Sequence, residues 1–376
     1  IITAIIDPET ETSRPENVTL IDGAGGTVLP GLIDAHTHSY GSSLNDALRF
    51  GVTTSLDMFT DRAVLAQAQQ SRQSRAATQA SDLFSAGMLA TAPGGHGTQY
   101  GVPVEPLTAP DQALDWVRAR KAEGSDYIKL AYIPNTRGFP SLDRPTARAV
   151  IAAAHAEGML ALVHIGTRQA ALEMIQDGVD GLVYVFADEP ADNELIQLAL
   201  ERDVFVIPTL AVIEAIEGPG DNIGLHTGET AGTELSPMQQ QTLSASFGQG
   251  IPGYQLDIAL DNVHRLHTAG VPILAGSDAP NPGTAQGLSL HREMQLLLRA
   301  GMSEQQALDA ATKWPAQQFS LQNRGIVETG AIADLIVIKG NPLDEIAATL
   351  SLQHVIKNGF LVDRTLEIPV SAPFLT

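Results

Sequence analysis

The stretch VLPGLIDAHTH, residues 28–38, is an apolar run that ends in two histidines spaced two positions apart. Alternate side chains of a β-strand point to the same face, so His36 and His38 can reach one ion from the end of a strand. The Pro-Gly pair interrupts the run near its start, and the predicted strand therefore covers residues 32–36. On its own, such a histidine pair is equally well explained as two polar surface residues. Residues elsewhere in the chain are needed to distinguish a metal site from this alternative.

Composition limits both the class of protein and the kind of site. The 376 residues suffice for about two domains, or for one α/β barrel of about 250 residues with a smaller companion. The net charge of -21, from 43 acidic and 22 basic residues, repels a phosphate backbone, so we expect no nucleic-acid partner. There is no cysteine, which excludes disulfides and thiolate ligands and leaves nitrogen and oxygen donors for any metal.

The sequence leaves the cellular location open. No apolar run is long enough to predict a transmembrane helix, which needs about 18 or more residues. The chain begins at Ile1 rather than Met, so we expect residues before it, and a removed signal peptide would fit that start. The absence of cysteine is compatible with a cytoplasmic as well as a periplasmic or secreted protein.

Eight apolar runs recur along the chain, and helical segments separate most of them. The predicted strands are residues 32–36, 51–59, 83–90, 127–132, 160–165, 181–186, 204–210 and 271–278. The predicted helices are residues 61–77, 109–122, 144–157, 168–177, 193–202, 288–300 and 303–312. Apolar strands connected through helices form parallel sheets, and a count of eight predicts a (β/α)8 TIM barrel. An open doubly wound sheet is the alternative, but no G-x-G-x-x-G motif follows the first strand.

Both chain ends are typical of β structure. Residues 1–6, 17–21, 325–327, 333–338 and 354–356 are predicted strands with turn residues between them. We therefore expect residues 1–27 and 325–376 to form one small β-sandwich domain beside a barrel of residues 28–324. The segment 214–250 is rich in Gly, Thr, Gln and Ser and follows the seventh strand, which predicts a lid or substrate loop, or else a surface excursion.

Polar side chains stand at the carboxyl ends of several predicted strands, where a barrel gathers its catalytic groups. They are His36, His38, Lys129, His164 and Asp278. Asp278 either binds a metal ion and takes a proton from bound water, or caps the turn that follows it. His164 ends its predicted strand and is interpreted as a metal ligand because it shares this end of the barrel with the others.

Lys129 is the most informative of these residues, because it lies inside the apolar run YIKLAY, residues 127–132. A buried ammonium is costly unless it is paired or chemically altered. Three explanations are open: a side chain that reaches the barrel rim, a Schiff-base lysine, or a lysine carboxylated by CO2 whose carbamate bridges two metal ions. The neighbouring histidines and the terminal aspartate favour the carbamate.

The motif PGLIDAHTH resembles the strand-one signature of the amidohydrolase superfamily. Other segments are similar to its second strand, its eighth strand and its returning β-sandwich: GVTT at 51–54, GSD at 276–278, GIVETG at 325–330, ADLIV at 333–337 and GNPL at 340–343. A lysine on the fourth strand narrows the resemblance to imidazolonepropionase-like hydrolases and to Xaa-Pro or Xaa-Arg dipeptidases. The resemblance covers nearly the whole chain.

This resemblance implies a divalent metal, best matched by zinc, in one or two copies. His36, His38 and Asp278 would hold one ion, and N6-carboxylated Lys129 would bridge to a second ion bound by His164. A hydroxide between the ions would attack a carbonyl carbon, and Asp278 would pass the proton to the leaving amine. The predicted reaction is hydrolysis of an amide-type C–N bond in a dipeptide, an N-acyl amino acid or a related small amide. Esters, lactones and carbamates remain alternative substrates.

The sixth predicted strand departs from the family pattern, which has a histidine where Tyr184 stands. A phenol has a resting pKa near 10 and has to lose its proton to bind a metal well. Tyr184 either ligates the second ion, or only forms a hydrogen bond and leaves that ion weak or absent, or is an introduced change that impairs the site. A weakened second site is the favoured explanation. Because of Tyr184, a further alternative stays open, in which the barrel is catalytically impaired and acts as a binding or scaffold protein.

Four further residues are candidate substrate contacts. His96, in the GGHG loop after the third strand, either binds substrate or stabilises an oxyanion during catalysis, or is simply a histidine of a flexible loop. Tyr132, Tyr254 and His291 are candidates for substrate binding or for support of the site. The remaining histidines fall on helical or surface-like stretches and are interpreted as structural: His155, His226, His264, His267 and His354. We expect a small-molecule partner, and the sequence leaves a homo-oligomer open.

Overall fold

Parallel strands and helices alternate through most of the chain, in a computed structural model that describes residues 1–7, 18–134, 138–218 and 234–365. The parallel strands fall into two sheets. The first contains, in order, β2 (Leu32–Thr37), β3 (Val52–Asp57) and β4 (Asp82–Ser85); the second contains β5 (Ile128–Ala131), β6 (Ala161–His164), β7 (Gly181–Val183) and β8 (Phe205–Ile207). Nearly every position of these strands is buried, as expected for sheets covered by helices on their outer face.

Backbone hydrogen bonds join the two sheets at both edges. The links are Ala90 N to Lys129 O at 2.8 Å on one side, with Leu274 N to Val206 O at 2.9 Å and Asp278 N to His36 O at 2.8 Å on the other. The eighth predicted strand, residues 271–278, therefore lies between β8 and β2, but it forms single bridges rather than a regular strand. Gly276 permits this approach, since a Cβ there would lie 2.8 Å from His36 Cβ.

Twelve helices are present among the described residues. They are α1 (Ser43–Arg49), α2 (Arg62–Ser74), α3 (Ala113–Glu123), α4 (Arg144–Ala156), α5 (Arg168–Gln176), α6 (Asn193–Glu201), α7 (Leu210–Glu217), α8 (Pro237–Ser244), α9 (Leu256–Ala269), α10 (Leu288–Arg299), α11 (Glu304–Ala310) and α12 (Lys313–Gln318). Side chains that accept first-turn amides, such as Asp143 and Thr167, define several helix starts. Within the described ranges, no helix combines the length and apolar character needed to cross a membrane.

A third sheet, which is antiparallel, brings segments from the two ends of the chain together. Its strands are β1 (Thr27–Pro30), β9 (Leu335–Ile338), β10 (Leu352–Lys357) and β11 (Phe360–Leu361), in the order β1-β9-β10-β11. The first part of the opening stretch thus belongs to this sheet, and only its second part enters the parallel strands. Within the described residues this region contains one sheet, so the two-layer sandwich and its domain boundaries stay predictions.

Three predicted strands are wrong. Residues 1–6, 18–21 and 325–327 lie outside any strand, although they are apolar. Near the start of the chain, Ile2 N donates to Ala331 O at 2.8 Å and Gly330 N donates to Ile2 O at 2.8 Å, but no further pair extends this contact. Composition alone predicted strands here, and it does not supply a partner edge on which they can pair.

A buried cluster of charges fastens the antiparallel sheet to the amino ends of the parallel strands. We call Asp82, Arg324, Asp334 and Lys357 the ionic cluster. Lys357 Nζ lies 2.7 Å from both Asp82 Oδ2 and Asp334 Oδ2, while Arg324 lies 2.6 Å from Asp82 and 3.0 Å from Asp334. Every charged group of the cluster therefore has a partner of opposite sign.

Candidate metal centre and its cavity

The polar side chains predicted at the strand ends converge on one cavity of about 700 Å³. His36 belongs to β2 and His38 follows it, while Lys129 lies on β5 and His164 ends β6. Tyr184 is the residue after β7, and Asp278 belongs to the 271–279 segment. All but His36 line the cavity, and His36 lies directly beneath it, 3.0 Å from Asp278. Parallel strands bring their carboxyl ends to one edge, which explains the convergence.

His36, His38 and Asp278, which we call the metal group, lie within reach of one ion. His36 Nε2 is 3.0 Å and His38 Nε2 is 3.1 Å from Asp278 Oδ1, and one ligand atom from each residue lies within 4.8 Å of the other two. His36 Nε2 and Asp278 Oδ1 are both buried and close together, but neither atom forms a hydrogen bond. Two imidazoles and a carboxylate suit zinc or a similar divalent ion. Buried polar atoms aimed at a common point without a partner fit such an ion.

The protonation states of the metal group agree with this fit. Burial lowers the pKa of His36 to about 4, so the ring is neutral near pH 7 and its nitrogen lone pair is free to ligate. Burial acts to raise the pKa of Asp278, but the adjacent His36 and His38 outweigh it and hold that pKa well below its usual range. His36 and Asp278 therefore present a neutral ring nitrogen and a carboxylate.

Lys129 is buried on β5, 4% exposed, and it forms no ion pair with a described carboxylate. Burial lowers its pKa to about 7, against the opposing charges of Asp278 and Asp57. A substantial share of this amine is therefore neutral near pH 7. The neutral amine is the form that reacts with CO2, so the chemistry that a carbamate requires is accessible.

His164 and His96 form the opposite wall of the cavity. Their ring centroids lie 4.5 Å apart, and that of His164 lies 4.7 Å from the ring of Tyr184. Burial lowers the pKa of His96 to about 4 and that of His164 well below its usual range, so both rings are neutral. The GGHG loop can place His96 here because Gly95 packs tightly: a Cβ would lie 2.4 Å from Thr91 Oγ1.

Tyr184 donates a hydrogen bond from its hydroxyl group to Asp278 Oδ2. Burial, together with the charge of Asp278, raises the pKa of this phenol well above its usual value. The backbone has a φ of 83° at Tyr184, in the left-handed region that non-glycine residues rarely adopt and that is found at functional sites. Of the alternatives given for Tyr184, this geometry agrees with the one in which the phenol only forms a hydrogen bond. A phenol that keeps its proton is a poor metal ligand.

The outer candidates divide into one that lines the cavity and two that do not. Tyr254 lines it, with its ring 6.2 Å from that of Tyr184. Tyr132 is buried outside the cavity lining, and its hydroxyl group donates to Glu173 on α5. The structure therefore does not bring Tyr132 into the cavity, and the role predicted for it stays a prediction.

His291 also lies outside the cavity lining, and the role predicted for it stays a prediction. The side chain is buried on α10, with Nδ1 2.9 Å from Thr349 Oγ1 and Nε2 2.9 Å from Phe50 O. Both ring nitrogens are occupied at a contact between helices, away from the cavity. Of the histidines interpreted as structural, four lie outside the cavity lining, and His226 falls outside the described residues.

The sequence interpretation missed two supporting carboxylates. Asp34 accepts from Ser277 Oγ at 2.6 Å and so ties the 271–279 segment to β2. Asp57 accepts from Ser39 N at 2.6 Å, directly after His38. Each is a carboxylate within or at the end of an apolar predicted strand, which is the signal that would have identified them. Of the predicted lid, residues 219–233 lie outside the described residues, and Phe247 from the remainder lines the cavity.

The chain is similar to known proteins over nearly its whole length. A family model described as "Amidohydrolase family" matches residues 27–362. The imidazolonepropionase of Pseudomonas savastanoi pv. phaseolicola is 26% identical over 356 residues, which cover 88% of this chain and 84% of that protein. The crystal structure of a putative prolidase from Bifidobacterium longum is 27% identical, with a TM-score of 0.71, covering 94% of this chain and 85% of that one. That of an Xaa-Pro dipeptidase with bound methionine has a TM-score of 0.70 at 21% identity, covering 90% and 87%.

Proposed function

The chain belongs to the amidohydrolase family, in its imidazolonepropionase- and Xaa-Pro dipeptidase-like branch, and is a hydrolase acting on C–N bonds; from this premise we propose that it is a metal-dependent amidohydrolase. The observation that supports metal dependence is the metal group, in which His36 Nε2 and Asp278 Oδ1 are buried and lie close together without a hydrogen bond. The substrate class that we propose is a small amide: a dipeptide, an N-acyl amino acid or a related compound.

The proposal includes the architecture around the site. The two parallel sheets and the bridged segment 271–279 would form a closed (β/α)8 barrel, because hydrogen bonds link them in a ring. The metal group would then lie at the carboxyl-terminal mouth, where enzymes of this fold hold their catalytic residues. The antiparallel sheet would cover part of the barrel from its amino-terminal end, through the ionic cluster.

His36, His38 and Asp278 would hold one divalent ion, for which zinc is the best match. When bound, such an ion lowers the pKa of a bound water to near 7 and polarises a substrate carbonyl. N6-carboxylated Lys129 and His164 would be the residues that hold a second ion. Because Tyr184 stays protonated, we propose that this second position binds its ion weakly.

The chain's own groups would orient substrate and move the proton. The carboxylate of Asp278 is fixed by the hydroxyl group of Tyr184 on one oxygen and faces both histidines with the other. It would take a proton from the attacking water and return it to the leaving amine. His96 is neutral and lines the cavity, so one ring N–H would stabilise negative charge that develops on the carbonyl oxygen.

Metal analysis and hydrolysis assays on the same purified protein test this function. We expect between one and two equivalents of a divalent metal, and cleavage of members of an amide panel. His36→Gln should remove the tightly held equivalent and lower hydrolysis by at least about 100-fold, since even residues that only support a ligand are worth about 10- to 100-fold. His155→Gln is the matched control, because that histidine pairs with Asp180 on the surface.

The alternatives predict different results. Hydrolysis of esters, lactones or carbamates but of no amide would reassign the substrate class. A binding or scaffold protein would contain no metal and would hydrolyse nothing after incubation with zinc, manganese or cobalt. That last result would overturn the proposed function.

A further inference from the structure

We propose that Asp188 makes the cavity select against carboxylate-bearing substrates, so that the amide cleaved here is uncharged or cationic and carries an aromatic or apolar group. This inference rests on the proposed function and narrows its substrate class. It favours simple amides over dipeptides and N-acyl amino acids, which end in a carboxylate.

Much of the cavity lining is apolar and aromatic. It includes Tyr100, Phe139, Phe247, Ile251 and Tyr254. A cavity of about 700 Å³ has the size of a small-molecule site, and such sites bind mostly through apolar contacts that a few polar groups orient. The shape and lining therefore match a substrate with an aromatic or branched apolar group.

Charge is distributed unevenly along this cavity. Among the described lining residues, Lys129 is the one lysine or arginine, and it lies on β5 beside the metal group. The two lining carboxylates are Asp278, which belongs to the metal group, and Asp188. A substrate carboxylate placed beside Asp188 would thus find no second cation among the described lining residues to pair with it.

Asp188 is held in this position by the backbone. It follows β7 by five residues, and its Oδ1 accepts a hydrogen bond from Arg168 N at 2.9 Å. The guanidinium group of Arg168 is paired with Asp192. Asp188 and Tyr254 both line the cavity. Burial and then the charges of Asp278 and Asp188 raise the pKa of the Tyr254 phenol to about 12.

The selection follows from the cost of like charges in a confined site. Juxtaposed like charges suppress binding of the wrong partner, and a carboxylate that loses its water without gaining a cation is costly. A neutral group in the same place pays neither cost, and an ammonium group gains an attraction to Asp188. Specificity would then come from a repulsive element as well as from apolar contact.

Three acetanilides that differ only in the para substituent test this inference: methyl, carboxylate and aminomethyl. Binding to the purified metal-containing protein is measured by calorimetry, and hydrolysis by release of the aniline. We expect the methyl and aminomethyl compounds to bind at least about tenfold more tightly than the carboxylate. Asp188→Asn should reduce this preference by about tenfold, a change of about 1.4 kcal/mol. Asp261→Asn, an equal charge change at an exposed pair with Arg265 on α9, should leave it unchanged.

Binding and hydrolysis separate the two proposals. Equal binding of all three compounds, failure of all three to bind, or a preference unaffected by Asp188→Asn would overturn the charge selection. Selective binding without hydrolysis of any compound would support the charge selection and count against the proposed function. Comparing each ratio between variant and parent removes the electronic effect of the substituents on amide reactivity.

Discussion

Two buried polar clusters lie at opposite ends of the parallel strands, and they differ in how their atoms are paired. In the ionic cluster at the amino ends, Lys357 contacts two carboxylates at 2.7 Å, and Arg324 contacts the same two. In the metal group at the carboxyl ends, atoms of His36 and Asp278 are equally buried but lack hydrogen bonds. Both clusters therefore bury polar groups. They differ because the charges of the ionic cluster are paired, whereas the metal group contains buried atoms without a hydrogen-bond partner.

This difference separates a structural role from a binding role. A buried charge is tolerated when partners of opposite sign surround it, and such a cluster then fastens elements to each other. A buried polar atom without a partner costs stability, and native proteins keep few of them. Several such atoms aimed at one point are explained by a ligand that pairs them. Substitutions that change the pairing at either cluster therefore test the two roles.

Removing the central cation of the ionic cluster should have the largest effect. Lys357→Met leaves Asp82 and Asp334 to share Arg324, with buried negative charge uncompensated. The free energy of unfolding should fall by about 3–5 kcal/mol, the typical cost of breaking a buried ion pair. Chemical denaturation measures this, and Lys339→Met, at an exposed position just after β9, is the control. If both variants unfold at the same denaturant concentration, the ionic cluster does not fasten the antiparallel sheet.

The buried side chain of His291 gives a pH-dependent test of pairing away from the metal group. Burial lowers its pKa to about 4 from the usual 6.5, so the folded state binds fewer protons than the unfolded chain between these values. Stability from this residue is therefore complete above pH 6.5 and is lost as the pH falls toward 4, by about 3 kcal/mol at most.

The measurement is the free energy of unfolding at several pH values between 4 and 7. His291→Gln should flatten the dependence relative to the parent protein, while the surface variant His155→Gln should keep the parent slope. A slope that is unchanged in His291→Gln would show that this histidine is not held neutral by burial.

The sequence predicted which polar residues would converge on one cavity, for a reason that is local. His36 and His38 share a strand face, and Lys129, His164 and Asp278 stand at the ends of apolar runs, so the fold class alone brings them together. The eighth run was placed correctly in the chain, although it forms bridges rather than a strand.

What the sequence did not predict depends on contacts between distant residues. The hydroxyl group of Tyr184 meets an oxygen of Asp278, 94 positions away, and no pattern near either residue indicates this. His291 lies near the start of a helix, but which face of α10 turns toward the cavity is set by packing against other elements. Residues 1–6 are apolar, yet a strand also requires a free edge on which to pair.

Tyr184 is the point at which the pairing of the metal group itself can be changed, with a smaller expected effect. Tyr184→Phe removes the hydrogen bond to Asp278 and keeps the ring. A hydrogen bond to a charged group contributes about 1.5–3 kcal/mol. Only the share of this energy that is gained in the transition state and not in the ground state affects the rate, so we expect kcat/KM to fall about tenfold. Metal content should stay unchanged, because a neutral phenol supplies no ligand. An equal rate in both proteins would mean that Asp278 does not depend on this bond.

Tyr184→His addresses the second metal position in the same way. An imidazole offers a neutral nitrogen donor without having to lose a proton, and it would stand beside His164, whose ring centroid is 4.7 Å from that of the present phenol. Metal bound per chain should therefore rise toward two equivalents, while Tyr184→Phe, which lacks a donor, should show no gain. Because both variants remove the same hydroxyl group, their difference isolates the nitrogen donor from the loss of the hydrogen bond. If the metal content of Tyr184→His equals that of Tyr184→Phe, the protonated phenol is not what weakens the second position, and the explanation has to lie with Lys129 or His164.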